Sequence, residues 1–256
     1  MKKGKKITSI LLIMACMSVM LIGCGTSSDG AAAAGGNTLV MATNAAFPPY
    51  EYVENGEYVG IDVEIAQAIA KELGMELEIK DVEFGSIIAG VESGKFHMGM
   101  AGMTVTEERK QSVNFSNTYA TAVQSVIVPE GSTIATIDDI TSDMKIGVQQ
   151  DTTGDIYASD DYGDAVVRYK NGADAVQALV SGKVDCVIID NEPAKSFVAA
   201  NTGLQILDSA YAEEEYAICV SKDNEELLGQ INDALAKLQA DGTIDAIVAK
   251  YIPTED

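Results

Sequence analysis

Ser93-Gly94-Lys95-Phe96-His97-Met98-Gly99-Met100-Ala101 and Ser181-Gly182-Lys183-Val184-Asp185-Cys186-Val187-Ile188-Ile189 share one pattern, 88 residues apart. In each, a short apolar helix stops at a Ser-Gly-Lys turn and an apolar run follows. A glycine just past a helix end takes the left-handed conformation that closes it. A short apolar run between turn signals is a buried strand. The repeat predicts two sheet domains of similar build. It makes Gly102 and Asp190 equivalent, just beyond the carboxyl ends of their strands, where open α/β sheets bind ligands. It sets His97, the only histidine, opposite Asp185 at the other ends of those strands, so His97 reads as structural.

Working outward, residues 39–43 form a short buried strand. Segments 50–53 and 57–59 flank Asn55-Gly56, a hairpin signal. Ile61, Ile65, Ile69 and Leu73 recur every four residues and stop at Gly74, a helix with one apolar face. A strand at 75–79 and a short helix carrying Ile87, Ile88 and Val91 lead into the first copy of the repeat, whose strand spans 96–101. The second half alternates in the same way. Strands lie at 145–148, 165–169, 184–189 and 204–207. Helices open after Thr152-Thr153-Gly154, run through Ala175, Val176, Leu179 and Val180, and cover 192–200. Two tail helices carry Leu227, Leu228, Ile231, Leu235 and Leu238, then Ile244, Ile247, Val248 and Tyr251. Strands alternating with helices imply an α/β fold with a mostly parallel sheet flanked by helices.

The 256 residues carry 17 Lys+Arg against 39 Asp+Glu, a net charge of −22. Such a chain has no face for nucleic acid, whose phosphates need cations, and none for docking on anionic lipid by charge. The first 23 residues hold Lys2, Lys3, Lys5 and Lys6 and no acid, so the remainder carries −26. A basic start before the apolar run 7–22 is an export signal. Leu21-Ile22-Gly23-Cys24 resembles the lipobox of bacterial lipoproteins. That resemblance implies cleavage at 1–23, a lipid such as palmitate on Cys24, and a protein anchored to the outer face of the bacterial cytoplasmic membrane. Residues 24–37 are small and polar, a flexible tether of roughly 20 Å. Cys16 leaves with the signal. Cys186 and Cys219 lie in apolar runs and read as buried free thiols rather than a disulfide. Cys/His spacing suited to a metal is missing, and neither metal nor cofactor is expected.

Three clusters carry chemistry. Thr43-Asn44-Ala45-Ala46-Phe47-Pro48-Pro49-Tyr50 presents an aromatic at a strand end. Ala101-Gly102-Met103-Thr104-Val105-Thr106-Glu107-Glu108-Arg109 has a glycine that admits a ligand to the backbone, then hydroxyls and an arginine on the next helix. Gly147-Val148-Gln149-Gln150-Asp151-Thr152-Thr153-Gly154 opens a helix whose N–H groups favour an anion. Each has a plainer structural reading: Phe47 as core, Thr104 or Thr106 as a helix cap (Thr104 with Glu107 fits a capping box), Arg109 as a solvated helix residue.

With Gly60-Ile61-Asp62-Val63-Glu64-Ile65-Ala66, Val184-Asp185-Cys186-Val187-Ile188-Ile189-Asp190 and Ala240-Asp241-Gly242-Thr243, these motifs stand in family-like order over residues 38–252. The chain resembles the solute-binding proteins of amino-acid ABC transporters, the polar amino-acid family. The resemblance implies a two-lobe periplasmic-binding-protein fold (type II), each lobe a mixed, mostly parallel sheet flanked by helices, joined by two hinge strands near 120–124 and 214–218. Lobe 1 would comprise 38–122 and 216–256, and lobe 2 123–215. It implies a monomer that closes on a free amino acid and serves a cognate ABC permease with its transmembrane and ATPase subunits. Arg109 would clamp the ligand carboxylate, helped by Thr104 and the backbone N–H of Thr153. Asp190 and the Gly102 carbonyl would take the ammonium, and Phe47 and Phe84 would pack on the ligand side chain. Asn44, Ala101, Met103, Gln149, Asp151 and Thr152 would complete the lining. Asn44 stands where relatives for basic ligands often carry Asp, and Asp151 where Gly is usual. Glu192 reads as a helix N-terminal acid beside Pro193. Two alternatives remain at this point: a dehydratase of amino-acid-like substrates, which needs a general acid in the cleft, and a ligand-sensing partner of a membrane receptor.

Overall fold

The computed structural model describes residues 37–252. Cys16, Cys24, the export signal and all but the last residue of the tether lie outside the described residues. The described chain opens with β1 (Thr38–Thr43), turns through a small sheet of β2 (Ala46–Phe47), β3 (Glu51–Glu54) and β4 (Glu57–Val59), and enters α1 (Ile61–Glu72). Asn55 and Gly56 join β3 to β4 with φ of 52° and 84°, the left-handed pair that a two-residue hairpin needs. α1 buries Ile61, Ile65 and Ile69. β5 (Glu76–Asp81), α2 (Ile87–Glu92) and β6 (Met98–Gly99) complete a first set, and one turn of helix, α3 (Arg109–Ser112), leads into the long β7 (Val113–Pro129). The second set is β8 (Ile146–Gln149), α4 (Thr153–Tyr162), β9 (Val166–Tyr169), α5 (Gly172–Val180), β10 (Cys186–Asp190), α6 (Asn191–Ala200) and β11 (Leu204–Ile206). β12 (Ala212–Ser221) then returns beside β7, and α7 (Glu225–Ala240) and α8 (Thr243–Tyr251) pack on α1.

One sheet runs β5-β1-β6-β12-β7-β10-β8-β9, with β11 beside β7. It is one pattern used twice. β5, β1 and β6 are parallel and β12 joins them antiparallel; β9, β8 and β10 are parallel and β7 joins them antiparallel. The repeat extends to single hydrogen bonds. His97 N–H donates to the Val40 carbonyl at 2.9 Å, and Val40 N–H donates to His97 Nδ1 at 2.9 Å. Asp185 N–H donates to the Lys145 carbonyl at 2.8 Å, and Lys145 N–H donates to the Asp185 carboxylate at 2.8 Å. Both side chains register one strand against the next.

The strand expected at 96–101 is only Met98–Gly99 in its regular part. A Cβ on Gly99 would lie 2.4 Å from Ile87 Cγ2 and 2.6 Å from Cys219 Sγ, so the helix packs directly on bare backbone there. At Gly102 the chain turns with φ 50°, which ends the strand at the cleft. β7 and β12 pair from Gln124↔Ala212 to Val113↔Ser221, with irregularities on both sides of Ala217. Ala217 N–H donates instead to the Met103 carbonyl at 3.1 Å. The lobes are therefore joined by two strands that also pair with each other. Cys186 and Cys219 are free and buried, and burial pushes both thiols up to about 12.

Candidate functional site

The strand ends of both lobes face a narrow cleft. Asn44, Phe47, Phe84, Ala101, Gly102, Thr104 and Arg109 line it from lobe 1; Gln149, Thr152, Thr153 and Asp190 line it from lobe 2. Phe84 begins a short 3-10 turn leading into α2. Two residues expected here stand elsewhere. Met103 is fully buried in the core behind the cleft, because neighbours along an extended chain point to opposite sides and Thr104 takes the cleft side. Asp151 lies outside the lining, its carboxylate against Gly85, facing a wider outer cavity. Its φ of 65° is the left-handed conformation that glycine adopts without strain, which accounts for a preference for glycine at this turn.

Arg109 opens α3 and is 8% exposed. Its Nη1–H donates to the Thr104 carbonyl at 2.7 Å and its Nη2–H to the Asp151 carbonyl at 3.2 Å, so one guanidinium touches both lobes. It sits 5.2 Å from the Phe84 ring centroid, a cation–π distance. Burial pushes its pKa down, yet an arginine keeps its charge in a protein. In the turn leading into α3, Thr106 Oγ1 accepts from Arg109 N–H at 3.1 Å. Thr104 does not cap α3: its hydroxyl donates to Glu214 Oε2 at 3.0 Å and lies 3.4 Å from Thr153 Oγ1. Thr152 caps α4 and donates to the Gln149 carbonyl at 2.8 Å. Gln149 Nε2 donates across the cleft to Asn44 Oδ1 at 3.0 Å, while Asn44 Nδ2 donates to the Val82 carbonyl at 2.9 Å.

The carboxyl groups outnumber the cation. Asp190 ends β10, is 7% exposed, and accepts from the Tyr216 hydroxyl. Burial first, and then the neighbouring Glu214, pushes its carboxyl well up from the usual range. Glu214, on β12, is buried and also accepts from Gln124 Nε2 at 3.0 Å. Glu51 lines the cleft at 1% exposure. Behind it lies Asp62, fully buried, whose Oδ2 accepts from Gly102 N–H at 2.8 Å and from the Tyr119 hydroxyl at 2.9 Å. Glu192 pairs with Lys195 at 2.8 Å and does not line the cleft. Sequence reasoning missed Glu51 and Glu214. Glu51 carried no signal in the sequence, because only the β2–β3 pairing sets it directly opposite Phe47. Glu214 had none either, since it reaches Thr104 across 110 residues of chain.

Residues 39–254 match the family described as bacterial extracellular solute-binding proteins, family 3. The chain belongs to that family. This solute-binding protein is 32% identical over 251 residues to the arginine-binding extracellular protein ArtP of Bacillus subtilis (strain 168), covering 96% of this chain and 98% of the relative. It is 30% identical over 266 residues to the ABC transporter glutamine-binding protein GlnH of the same organism, covering 97% of each. Among solved structures, it superposes on the arginine-, lysine-, histidine-binding protein ArtJ of Geobacillus stearothermophilus with a TM-score of 0.81 and 33% identity, covering 86% of this chain and 96% of that one. Solute binding, a two-lobe α/β architecture and export follow from the family. Among the described residues, no helix is long and apolar enough to cross a membrane.

Proposed function

We propose that this protein captures an amino acid with a cationic side chain between its lobes and delivers it, unchanged, to an ABC permease for import. The observation that carries this reading is the charge of the cleft. Among the described residues Arg109 is the one cation lining it, against Glu51 and Asp190 in the wall and Glu214 and Asp62 just behind. Arg109, with Thr104 and the N–H of Thr153 at the start of α4, holds the α-carboxylate; a guanidinium fork suits a carboxylate. Asp190 and the Gly102 carbonyl take the α-ammonium. A buried carboxylate without a cation is costly, and the ammonium supplies one. Phe47 and Phe84 flank the side chain, and Glu51 meets its distal charge. Asn44 is spent on Gln149 and Val82, so Glu51 provides the anion that Asn44 lacks. The relatives take both cationic and neutral amino acids, so the carboxyl groups decide the preference here, not the kinship.

The pivot is assigned to 120–124 and 214–218, where β7 and β12 pair, with lobe 1 as 38–122 and 216–256 and lobe 2 as 123–215. The protein acts as a monomer held at the outer face of the cytoplasmic membrane by lipid on Cys24, which palmitate labelling of wild type against Cys24→Ser tests. It is a carrier and not an enzyme: its histidine lies at the far end of β6, engaged with Val40, and cleft acids are matched to ligand charges. A thermal-shift screen against the twenty amino acids tests the ligand class. Arginine or lysine in large excess should raise Tm by about 5–10 °C. A shift with glutamine or glutamate alone would refute the cationic assignment.

A further inference from the structure

The Glu51 and Asp62 carboxyls are neighbours, and Asp62 N–H donates to the carbonyl of Tyr50, the residue before Glu51, at 2.9 Å. Glu51 is 1% and Asp62 0% exposed, and Glu51 Oε2 and Asp62 Oδ1 have no hydrogen-bond partner among the described residues. Two ionised carboxylates are acceptors only. They can meet in a dry site only if one carries a proton. The donors identify which. Asp62 Oδ2 already takes Gly102 N–H and the Tyr119 hydroxyl, so Asp62 is the anion and Glu51 the acid beside it. The groups facing the pair are the Tyr119 phenol from β7, the Tyr50 phenol between β2 and β3, Asp190 from β10 and Asp81 from β5. None is a cation, and no Lys or Arg of the described residues pairs with either carboxyl. Burial first, and then the neighbouring Asp62, pushes Glu51 well above the ordinary carboxylate range, while burial pushes Asp62 up to about 6 against the lowering effect of Gly102, Tyr119 and Glu51.

We infer that Glu51 and Asp62 together hold one proton in the floor of the ligand cleft, and that a cationic ligand side chain takes that proton's place on binding. The exchange balances. The Glu51 O–H bond breaks, the proton passes to water and buffer, and the guanidinium or ammonium of the ligand neutralises the second carboxylate. The inference rests on the cationic-ligand reading given above. Its consequence is selectivity. A neutral side chain leaves the proton where it is and gains no ion pair, whereas a cation gains one at the cost of a proton released. Asp62 acts through Glu51 and is a positioning residue.

The test is isothermal titration of the purified full chain with L-arginine and with L-glutamine, near neutral pH, in buffers of different ionisation heat. Both ligands carry the same α-carboxylate and α-ammonium, so any proton lost from Asp190 is common to them. Arginine should release about one proton more than glutamine, and its affinity relative to glutamine should rise up to about tenfold per pH unit where the pair still holds its proton. In Asp62→Asn the amide can donate to Glu51, which then needs no proton, and the release with arginine should fall by about one. That comparison serves also if glutamine binds too weakly to titrate. Equal proton release for the two ligands, or an undiminished release in Asp62→Asn, overturns the exchange while leaving the ligand class intact. No heat with arginine or lysine at all overturns the ligand class and the exchange with it.

Discussion

Asp190 shows how much one buried side chain demands of a ligand. Its carboxyl is pressed toward the neutral acid by burial and by Glu214, and Tyr216 gives it a single hydroxyl donor. An α-ammonium docked there gains a charge-assisted bond in a low-dielectric site, on the order of 2–3 kcal/mol. Asp190→Ala should therefore weaken binding of free amino acids by roughly 30- to 100-fold. Deaminated analogues, which have no ammonium, should lose little. Calorimetry on both ligand types reads the difference, and equal losses would contradict the role. In the proposed reading Arg109 has the complementary part, which the family resemblance assigned to it, since an arginine beside Glu107 and Glu108 reads by itself as a solvated helix residue. Glu51 was not legible as a ligand residue: nothing in Pro48-Pro49-Tyr50-Glu51 says that the glutamate turns inward. Only the antiparallel pairing of Phe47 with Glu51, and Asp62 arriving behind it from α1, put its carboxyl in the cleft.

Among the elements, the junction between the β3–β4 hairpin and α1 sets the cleft floor. Gly60 lies at φ 125°, and a Cβ there would sit 2.2 Å from the Tyr50 carbonyl oxygen and 2.9 Å from that of Pro49. Those two carbonyls accept from Asp62 and Ile61 N–H at 2.9 and 3.0 Å, so the start of α1 is fastened onto the strand turn that carries Phe47 and Glu51. Gly60→Ala has no side chain to move aside, only backbone. It should destabilise the protein by about 3 kcal/mol or more, read as a lowered midpoint in denaturant; a change under about 0.5 kcal/mol would show the junction to be compliant. The periodicity of α1 was plain in the sequence, as were the hairpin and the two Ser-Gly-Lys turns, because they depend on residues within a few positions of one another. The shortness of β6 was not plain, because it depends on Cys219 and Ile87 closing over Gly99.

Across the whole molecule, the acidic excess and the buried acids act in the same direction. An unfolded chain ionises its carboxyls near pH 4, whereas the native protein holds protons on the Glu51–Asp62 pair and favours one on Asp190 to higher pH. Between those limits the native state binds more protons than the unfolded one, so stability falls as pH rises. Ligand-free protein should melt higher near pH 5 than near neutrality, with the loss running through about pH 6, where Asp62 titrates. A saturating cationic ligand should flatten the dependence. A scan of Tm against pH with and without arginine checks both; a ligand-free Tm that climbs from about pH 5 to neutrality would contradict the buried-proton account. The sequence alone determined the doubled α/β architecture and set Gly102 and Asp190 at equivalent strand ends, because apolar period, turn glycines and motif spacing are local properties of a chain. Tertiary structure alone decided that Glu51 meets Asp62 and that Glu214 backs Thr104, because burial and charge proximity exist only once strands far apart in sequence are folded against each other.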